Sequence, residues 1–205
     1  TTSGDAGALH LWEVSSGQPL WVSHGPLGFI FSVSYSADGA VIATASASGV
    51  RLWDAATGAQ VGDSIPVPAL HGLSFSPTES VLAICAADGV ALWEVDPRAL
   101  RGHLKAGDET AMRAEFTSDG RYLAVSGITH NVRMWDMDTL EQVGGPLPTP
   151  HVATGVEFGP GDGMLMIADP PADTTRAWDM PTRLPIGPVI QEVVSPYSDW
   201  SFDPL

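Results

Sequence analysis

The sequence predicts an all-β protein built from repeated units of four short strands. A tryptophan followed by an acidic residue recurs every 40 to 43 residues along the 205-residue chain, at Trp12, Trp53, Trp93, Trp135 and Trp178. A second aromatic series keeps almost the same period, at Tyr35, Phe75, Phe116, Phe158 and Phe202. The 22 glycines and 17 prolines favour tight turns over long helices. Four strands in about 40 residues, ending in Trp-Asp, is the pattern of a β-propeller blade.

The second unit, residues 24–65, illustrates the four predicted strands in order. Residues 30–36 alternate apolar and small side chains, which indicates a first strand. Residues 40–46 (AVIATAS) form a buried β-rich run, and residues 50–54 (VRLWD) form the third strand. A turn then leads into a short, more polar fourth strand that begins at residues 59–62. The following units repeat this pattern.

Turn-forming dipeptides separate the second and third predicted strands in each unit. Most of them contain small residues or residues that tolerate the left-handed conformation, as a two-residue hairpin turn requires. They are Ser48-Gly49, Asp88-Gly89, His130-Asn131 and Asp173-Thr174.

The segments VSYSADG, VRLWDAATG and FTSDGRYLAVSG resemble blade segments of the WD40-repeat family, and the resemblance covers essentially the whole chain. It implies a WD40-type β-propeller with about five four-stranded units visible, the first and last incomplete. We expect the chain to be part of a larger propeller. The alternative is a five-unit ring closed by a defective split blade. The predicted units are approximately residues 1–23 (partial), 24–65, 66–106, 107–148, 149–192 and 193–205 (partial).

The resemblance also implies a hydrogen-bonded network of His, Ser or Thr, Asp and Trp in each blade, and here that network is degraded. Ser48 and His130 stand where two units should carry the turn aspartate. We therefore expect apolar packing between sheets to hold the blades together. The residues expected to carry the repeat are Trp12, Trp53, Trp93, Trp135, Trp178, Asp54, Asp88, Asp136, Asp173 and Asp179.

Composition argues against several classes of protein. Nine basic and 24 acidic residues give a net charge of −15, which disfavours binding to nucleic acid. The single Cys85 allows neither an internal disulfide nor a cysteine-built zinc site. No apolar run reaches the length of a membrane span, and no secretory signal is visible, so a cytoplasmic location is predicted. The chain carries no common catalytic motif, and its histidines have no metal-ligand spacing, so neither metal nor other cofactor is expected.

Glu115 and Glu157 are unusual because serine occupies the equivalent inner-strand positions in other units. If inner strands line a central channel, the two carboxylates could hold a cation or small molecule, or act as an acid–base pair. The alternative, which we favour, is pairing of each glutamate with Arg113, Arg133 or Arg176.

A non-catalytic protein-interaction scaffold or ligand-sensing propeller is the function that the sequence favours. Trp21, Phe29 and Phe31 lie around one connection between units and could anchor a peptide or protein, or could fold back and be buried. By resemblance to other WD40 faces, the same rim would include His71, Met112, Arg113, His130 and Thr154. The acidic charge suggests partners with basic segments. The resemblance and the lysine-poor composition imply a module of a larger bacterial signalling or effector protein, in which other domains of the same polypeptide are further partners.

Overall fold

The computed structural model describes residues 2–3, 8–24, 28–67, 71–105, 110–169 and 174–191. Over these residues the protein consists of five antiparallel sheets, contains no α-helix and has one 3-10 turn at Pro160–Asp162. The all-β prediction is therefore confirmed.

Hydrogen-bonded neighbours follow chain order in every sheet, except that the fifth strand of sheet 4 pairs with the third. We call the first strand of sheets 2 to 5 the inner strand and the last strand of a sheet the outer strand. Sheet 1 contains β1 (Thr2–Ser3), β2 (Ala8–Trp12) and β3 (Pro19–His24). Sheet 2 contains β4 (Ile30–Tyr35), β5 (Val41–Ser46) and β6 (Gly49–Asp54). Sheet 3 contains β7 (Leu73–Phe75), β8 (Val81–Ala86), β9 (Gly89–Glu94) and β10 (Ala99–Leu104). Sheet 4 contains β11 (Ala111–Phe116), β12 (Tyr122–Gly127), β13 (Asn131–Asp136), β14 (Glu141–Gln142) and β15 (Leu147–Pro148). Sheet 5 contains β16 (Gly155–Phe158), β17 (Met164–Asp169), β18 (Thr174–Asp179) and β19 (Leu184–Gln191).

The outermost strand varies most between sheets. In sheet 2 it is reduced to two isolated bridges, Val50 with Ile65 and Trp53 with Gln60. In sheet 4 it is split into β14 and β15, which both pair with β13. The short, polar fourth strand that the sequence predicts thus becomes a partial edge in these two sheets.

Apolar cores lie between consecutive sheets. Because side chains alternate along a strand, Leu82 and Ile84 pack toward sheet 2, while Ala83 and Cys85 pack toward sheet 4. Comparable cores join sheet 1 to sheet 2 and sheet 4 to sheet 5. The expectation that apolar packing holds the blades together is met.

The hydrogen-bonded network is as degraded as the sequence suggests. The Trp53 indole donates to Thr44 Oγ1 at 2.9 Å. Strand registers place Ile84, Val125 and Ile167 at the positions equivalent to Thr44, and none of these side chains can accept a hydrogen bond. The hydroxyl–indole bond is therefore available in sheet 2 and lost in sheets 3, 4 and 5.

The histidine–aspartate contacts differ from one sheet to the next. His151 Nδ1 lies 3.0 Å from Asp169 Oδ2 at the end of β17. The sequence suggested Asp173 for this role, a residue outside the described part of the chain. In sheet 3, Asp88 does hold the expected turn and lies 3.4 Å from Nε2 of His103 on the outer strand.

The aspartates of the Trp-Asp pairs shape the turn after the third strand in sheets 2, 4 and 5. Asp54 accepts hydrogen bonds from the backbone and hydroxyl of Thr57, at 2.8 and 2.7 Å. Asp136 and Asp179 make the same pair of bonds to threonines three residues later. These bonds lower the pKa of all three carboxyl groups, since they favour the charged form.

Candidate functional site

The two ends of the sheets carry different candidate sites. Ile30, near the start of the inner strand β4, pairs with Ser46 beside the turn into β6, whereas Tyr35 pairs with Ile42 at the opposite end. We call the end where inner strands begin the entry end and the opposite end the far end.

An exposed pair of phenylalanines marks the entry end of sheet 2. Phe29 is 73% exposed and Phe31 is 47% exposed, and their ring centroids lie 5.4 Å apart. Ile30 between them is buried in the core between sheets 1 and 2. Strand alternation explains this arrangement, because burying Ile30 turns both phenylalanines to the other side.

The remaining predicted rim residues also lie at the entry end, on successive sheets. The His71 amide donates to Cys85 O at 3.2 Å, and burial lowers the pKa of the His71 imidazole. Gly72 brings this segment against β11, because a Cβ at Gly72 would lie 2.9 Å from Met112 O and 3.2 Å from the Arg113 side chain. The structure therefore brings Arg113 close to the segment that carries His71.

His130 and Thr154 extend the rim to sheets 4 and 5. His130 is exposed in the turn before β13 with a φ of 57°, in the left-handed region. Thr154 is half-buried just before β16, and its amide donates to Ala168 O at 3.3 Å.

Trp21 does not share this end with the two phenylalanines. Its indole N–H donates to Ala55 O at 2.9 Å, and its ring packs on Gly58, both in the turn after β6 at the far end. The single aromatic cluster that the sequence suggested is therefore divided, because Trp21 lies near the start of β3, the outer strand that rises from the far-end turn. Its contacts are those of the fold-back alternative.

A cleft of about 710 Å³ lies at the far end of the inner strands. Glu115 and Glu157 both line it, together with Phe75, Phe116 and Phe158. Registers confirm that the two glutamates occupy equivalent positions, since Glu115 pairs with Ala124 and Glu157 with Met166.

Asp162, Arg133 and Arg176 each make a contact that the structure describes. Asp162 at the rim of the cleft accepts hydrogen bonds from the amide and hydroxyl of Ser118, at 2.8 and 2.5 Å. Arg133 donates to Gln142 Oε1 at 2.9 Å, and the Arg176 guanidinium lies 5.9 Å from the ring centroid of Trp178. Within the described ranges, no group of three or more His, Cys, Asp or Glu residues is placed to hold a metal ion.

Comparison with known families agrees with this architecture. The family described as WD domain, G-beta repeat matches residues 17–54 and 97–136. Each matched segment begins two residues before the outer strand of one sheet. It ends at the Trp-Asp aspartate that closes the third strand of the next sheet. These two matches support a WD40-repeat family for the chain. A search of curated proteins finds no match to it.

The match to WD40 repeats bears on function only at a general level. WD40 repeats generally mediate protein–protein interaction or scaffolding, and such domains are typically non-catalytic. The described part of the chain contains no helix with the length and apolar character needed to cross a membrane.

Proposed function

We propose that this WD40 array is a non-catalytic interaction module that binds a protein or peptide at its entry end. The exposed Phe29–Phe31 pair carries the proposal. Large aromatic side chains on a rigid strand supply binding energy at little cost in conformational entropy, and they are common anchors in protein interfaces. Removing both rings from water against a partner would be favourable in the same way as burying them in a core.

The other rim residues supply polar contacts around this anchor. His71, Met112, Arg113, His130 and Thr154 lie at the same end of sheets 3, 4 and 5, so a segment crossing the array could contact them in turn. The net charge of −15 favours a partner with basic segments, because complementary charge raises the association rate. A cytoplasmic setting within a larger bacterial signalling protein, including other domains of the same polypeptide as partners, completes the proposal.

Site-specific photocrosslinking tests the anchor. We would replace Phe31 with p-benzoylphenylalanine and, as a matched control, Tyr35 on the far end of the same strand, which is 39% exposed. We expect an adduct with a defined protein from position 31 and none from position 35. After purification, the captured partner should bind the parent chain at least tenfold more tightly than it binds the F29S/F31S variant.

Two results would contradict the proposal. One is an equal yield of adducts from both positions, and the other is unchanged affinity of the purified partner for F29S/F31S. Circular dichroism of each variant separates loss of binding from loss of fold.

The far-end cleft supports a second candidate function, binding of a small cationic ligand. Its specific support is that Glu115 and Glu157, which the sequence singled out, line one cavity that also has aromatic walls. Titration calorimetry with spermidine should give a binding signal for the parent chain and none for E115Q/E157Q. No heat in either protein would count against this function.

A further inference from the structure

Two recurring positions form the contact between the outer parts of adjacent sheets. We call the fifth residue after each repeat tryptophan the turn position and the ninth the strand position. The turn positions are Gly17, Gly58, Arg98, Leu140 and Arg183, all with φ between 57° and 71°. The strand positions are Trp21, Gly62, Gly102, Gly144 and Gly187.

At three contacts between sheets, a large turn-position side chain lies over a glycine of the preceding sheet. A Cβ at Gly62 would overlap the Arg98 guanidinium between sheets 2 and 3. A Cβ at Gly102 would lie 2.8 Å from Leu140 Cδ1 between sheets 3 and 4. The Arg183 guanidinium occupies the same place over Gly144 between sheets 4 and 5.

Hydrogen bonds hold two of these large side chains in place. Arg98 donates to Val61 O at 2.6 Å and also to Asp63 O, both on the edge of sheet 2. Arg183 donates to Gly145 O beside β14 of sheet 4. Leu140 instead packs against the apolar core between sheets 3 and 4.

At the contact between sheets 1 and 2, the large side chain and the glycine exchange positions. Here the strand position is the large residue Trp21, and the turn position is Gly58, where a Cβ would lie 2.7 Å from Trp21 Cδ2. Each of the four described contacts therefore combines one large side chain with one glycine.

Sheets 1 and 5 are the first and last described sheets, and each carries glycine at the one position without a described partner: the turn position of sheet 1 and the strand position of sheet 5. Gly17 of sheet 1 and Gly187 of sheet 5 have no atom of the described residues within 4 Å of an ideal Cβ. Trp12 of sheet 1 is 40% exposed, whereas the equivalent Trp53 and Trp178 are 3% and 6% exposed against their preceding sheets. Sheet 1 thus presents a face of the kind that is covered at the other contacts.

Direct packing of sheet 5 on sheet 1 would place Gly187 opposite Gly17. Two glycines would leave the space that Arg98, Leu140, Arg183 or Trp21 fills elsewhere, and an unfilled space forfeits dispersion contacts on all its walls. A second copy of this chain would bring the same Gly17 to Gly187, so it has the same mismatch.

We propose that the face of sheet 5 around Gly187 binds a further β-blade whose turn position carries a large side chain, and that sheets 1 and 5 do not pack on each other. The required partner is a blade of different sequence from sheet 1, with arginine or leucine five residues after its repeat tryptophan. This proposal is independent of the function proposed for the entry end.

Disulfide trapping tests the exclusion of direct packing. The variant G17C/G187C should form no disulfide under mild oxidation, either within a chain or between chains. The control G102C/L140C should form one, because those positions already touch. Cys85 is fully buried and does not interfere. Rapid, complete disulfide formation by G17C/G187C would overturn the proposal.

Supplying the missing side chain tests the fit itself. In G17R, sheet 1 gains an arginine at its turn position, as sheets 3 and 5 have at Arg98 and Arg183. Sheet 1 of this variant should therefore pack on sheet 5, either within one chain or between two chains. We expect a raised sedimentation coefficient or a midpoint temperature several degrees higher than that of the parent chain. The double variant G17R/G187R, with two large side chains opposed, should return to the parent values. No change in G17R would overturn the proposal.

Arg98→Asn tests whether the large side chain matters at a described contact. Asparagine tolerates positive φ, so a lower midpoint temperature would come from loss of the long side chain and not from backbone strain. The matched control Gly17→Asn changes an equivalent position at which an added Cβ would have no described atom within 4 Å, and it should leave the midpoint within one or two degrees. Equal effects of the two substitutions would overturn the proposed pairing.

Discussion

Replacing Gly49 with alanine should detach the outer segment of sheet 2. Gly49 begins β6 with a φ of 114°, and a Cβ there would lie 2.7 Å from Ile65 O. That separation is well inside the roughly 3.3 Å of even a close carbon–oxygen contact. Ile65 O accepts a hydrogen bond from Val50 N at 3.1 Å, and Ile65 N donates to Val50 O at 2.8 Å, so moving this carbonyl disrupts both bonds.

The cost follows from three contributions. Backbone strain at this φ costs about 1–3 kcal/mol. The two hydrogen bonds contribute about 1 kcal/mol each. Displacing Ile65, which is 2% exposed, adds part of the roughly 2 kcal/mol that burial of such a side chain supplies. Gly49→Ala should therefore lower the free energy of unfolding by about 3–7 kcal/mol.

Gly39→Ala is the matched control. Gly39 also has a positive φ, of 70°, but a Cβ there would have no described atom within 4 Å. It should cost only about 1–2 kcal/mol of backbone strain. Urea unfolding followed by tryptophan fluorescence gives the two values, and hydrogen exchange at the Val50 amide shows whether the outer segment has opened. Equal losses in the two variants, with the Val50 amide still protected, would refute the close-approach argument.

Three further outcomes follow from the described contacts. Thr44→Val should lower the free energy of unfolding in urea by about 1–2 kcal/mol, because it leaves the buried Trp53 indole without an acceptor. Ile84→Thr adds a hydroxyl at the equivalent site of sheet 3, so it should destabilise the protein no more than Ile84→Val does. Thermal melts across pH should show stability falling as pH drops below about 4. In the folded state, hydrogen bonds lower the pKa of several carboxyl groups below the 3.8 of the unfolded chain. The stability that these groups contribute is therefore fully present above the unfolded pKa and is lost as pH falls through the folded pKa. These groups are Asp38, Asp54, Asp119, Asp136 and Asp179. Thr57→Val should weaken that acid dependence, and an unchanged profile would contradict this account. Ellman's reagent should label Cys85 only after unfolding, since burial raises the pKa of its thiol to about 12, and labelling of the native chain would contradict its placement.

Local pattern was sufficient to predict the repeat and most of its strands. The second and third strands of sheet 2 were expected at residues 40–46 and 50–54 and lie at Val41–Ser46 and Gly49–Asp54. The equivalence of Glu115 and Glu157 also followed from the period alone. These features depend on side-chain alternation and turn chemistry, which involve residues close together in the chain.

Contacts between sheets were decided by the tertiary structure. Trp21 was grouped with Phe29 because they are eight residues apart, but an outer strand separates them and carries them to opposite ends of the array. The contact of His151 with Asp169 depends on how the segment before β16 meets the end of β17, and the repeat pattern did not indicate it. The pairing of Arg98 with Gly62 and of Arg183 with Gly144 was likewise invisible in any one repeat.

The physical reason is the range of each interaction. One repeat contains the hydrogen-bonding and alternation signals that make a sheet, so its sequence determines the blade. The large side chain and the glycine that join two blades lie 36 to 39 residues apart, and nothing in either residue alone indicates its partner. Only the stacking of the sheets brings them together, so only the tertiary structure decided which blades fit each other.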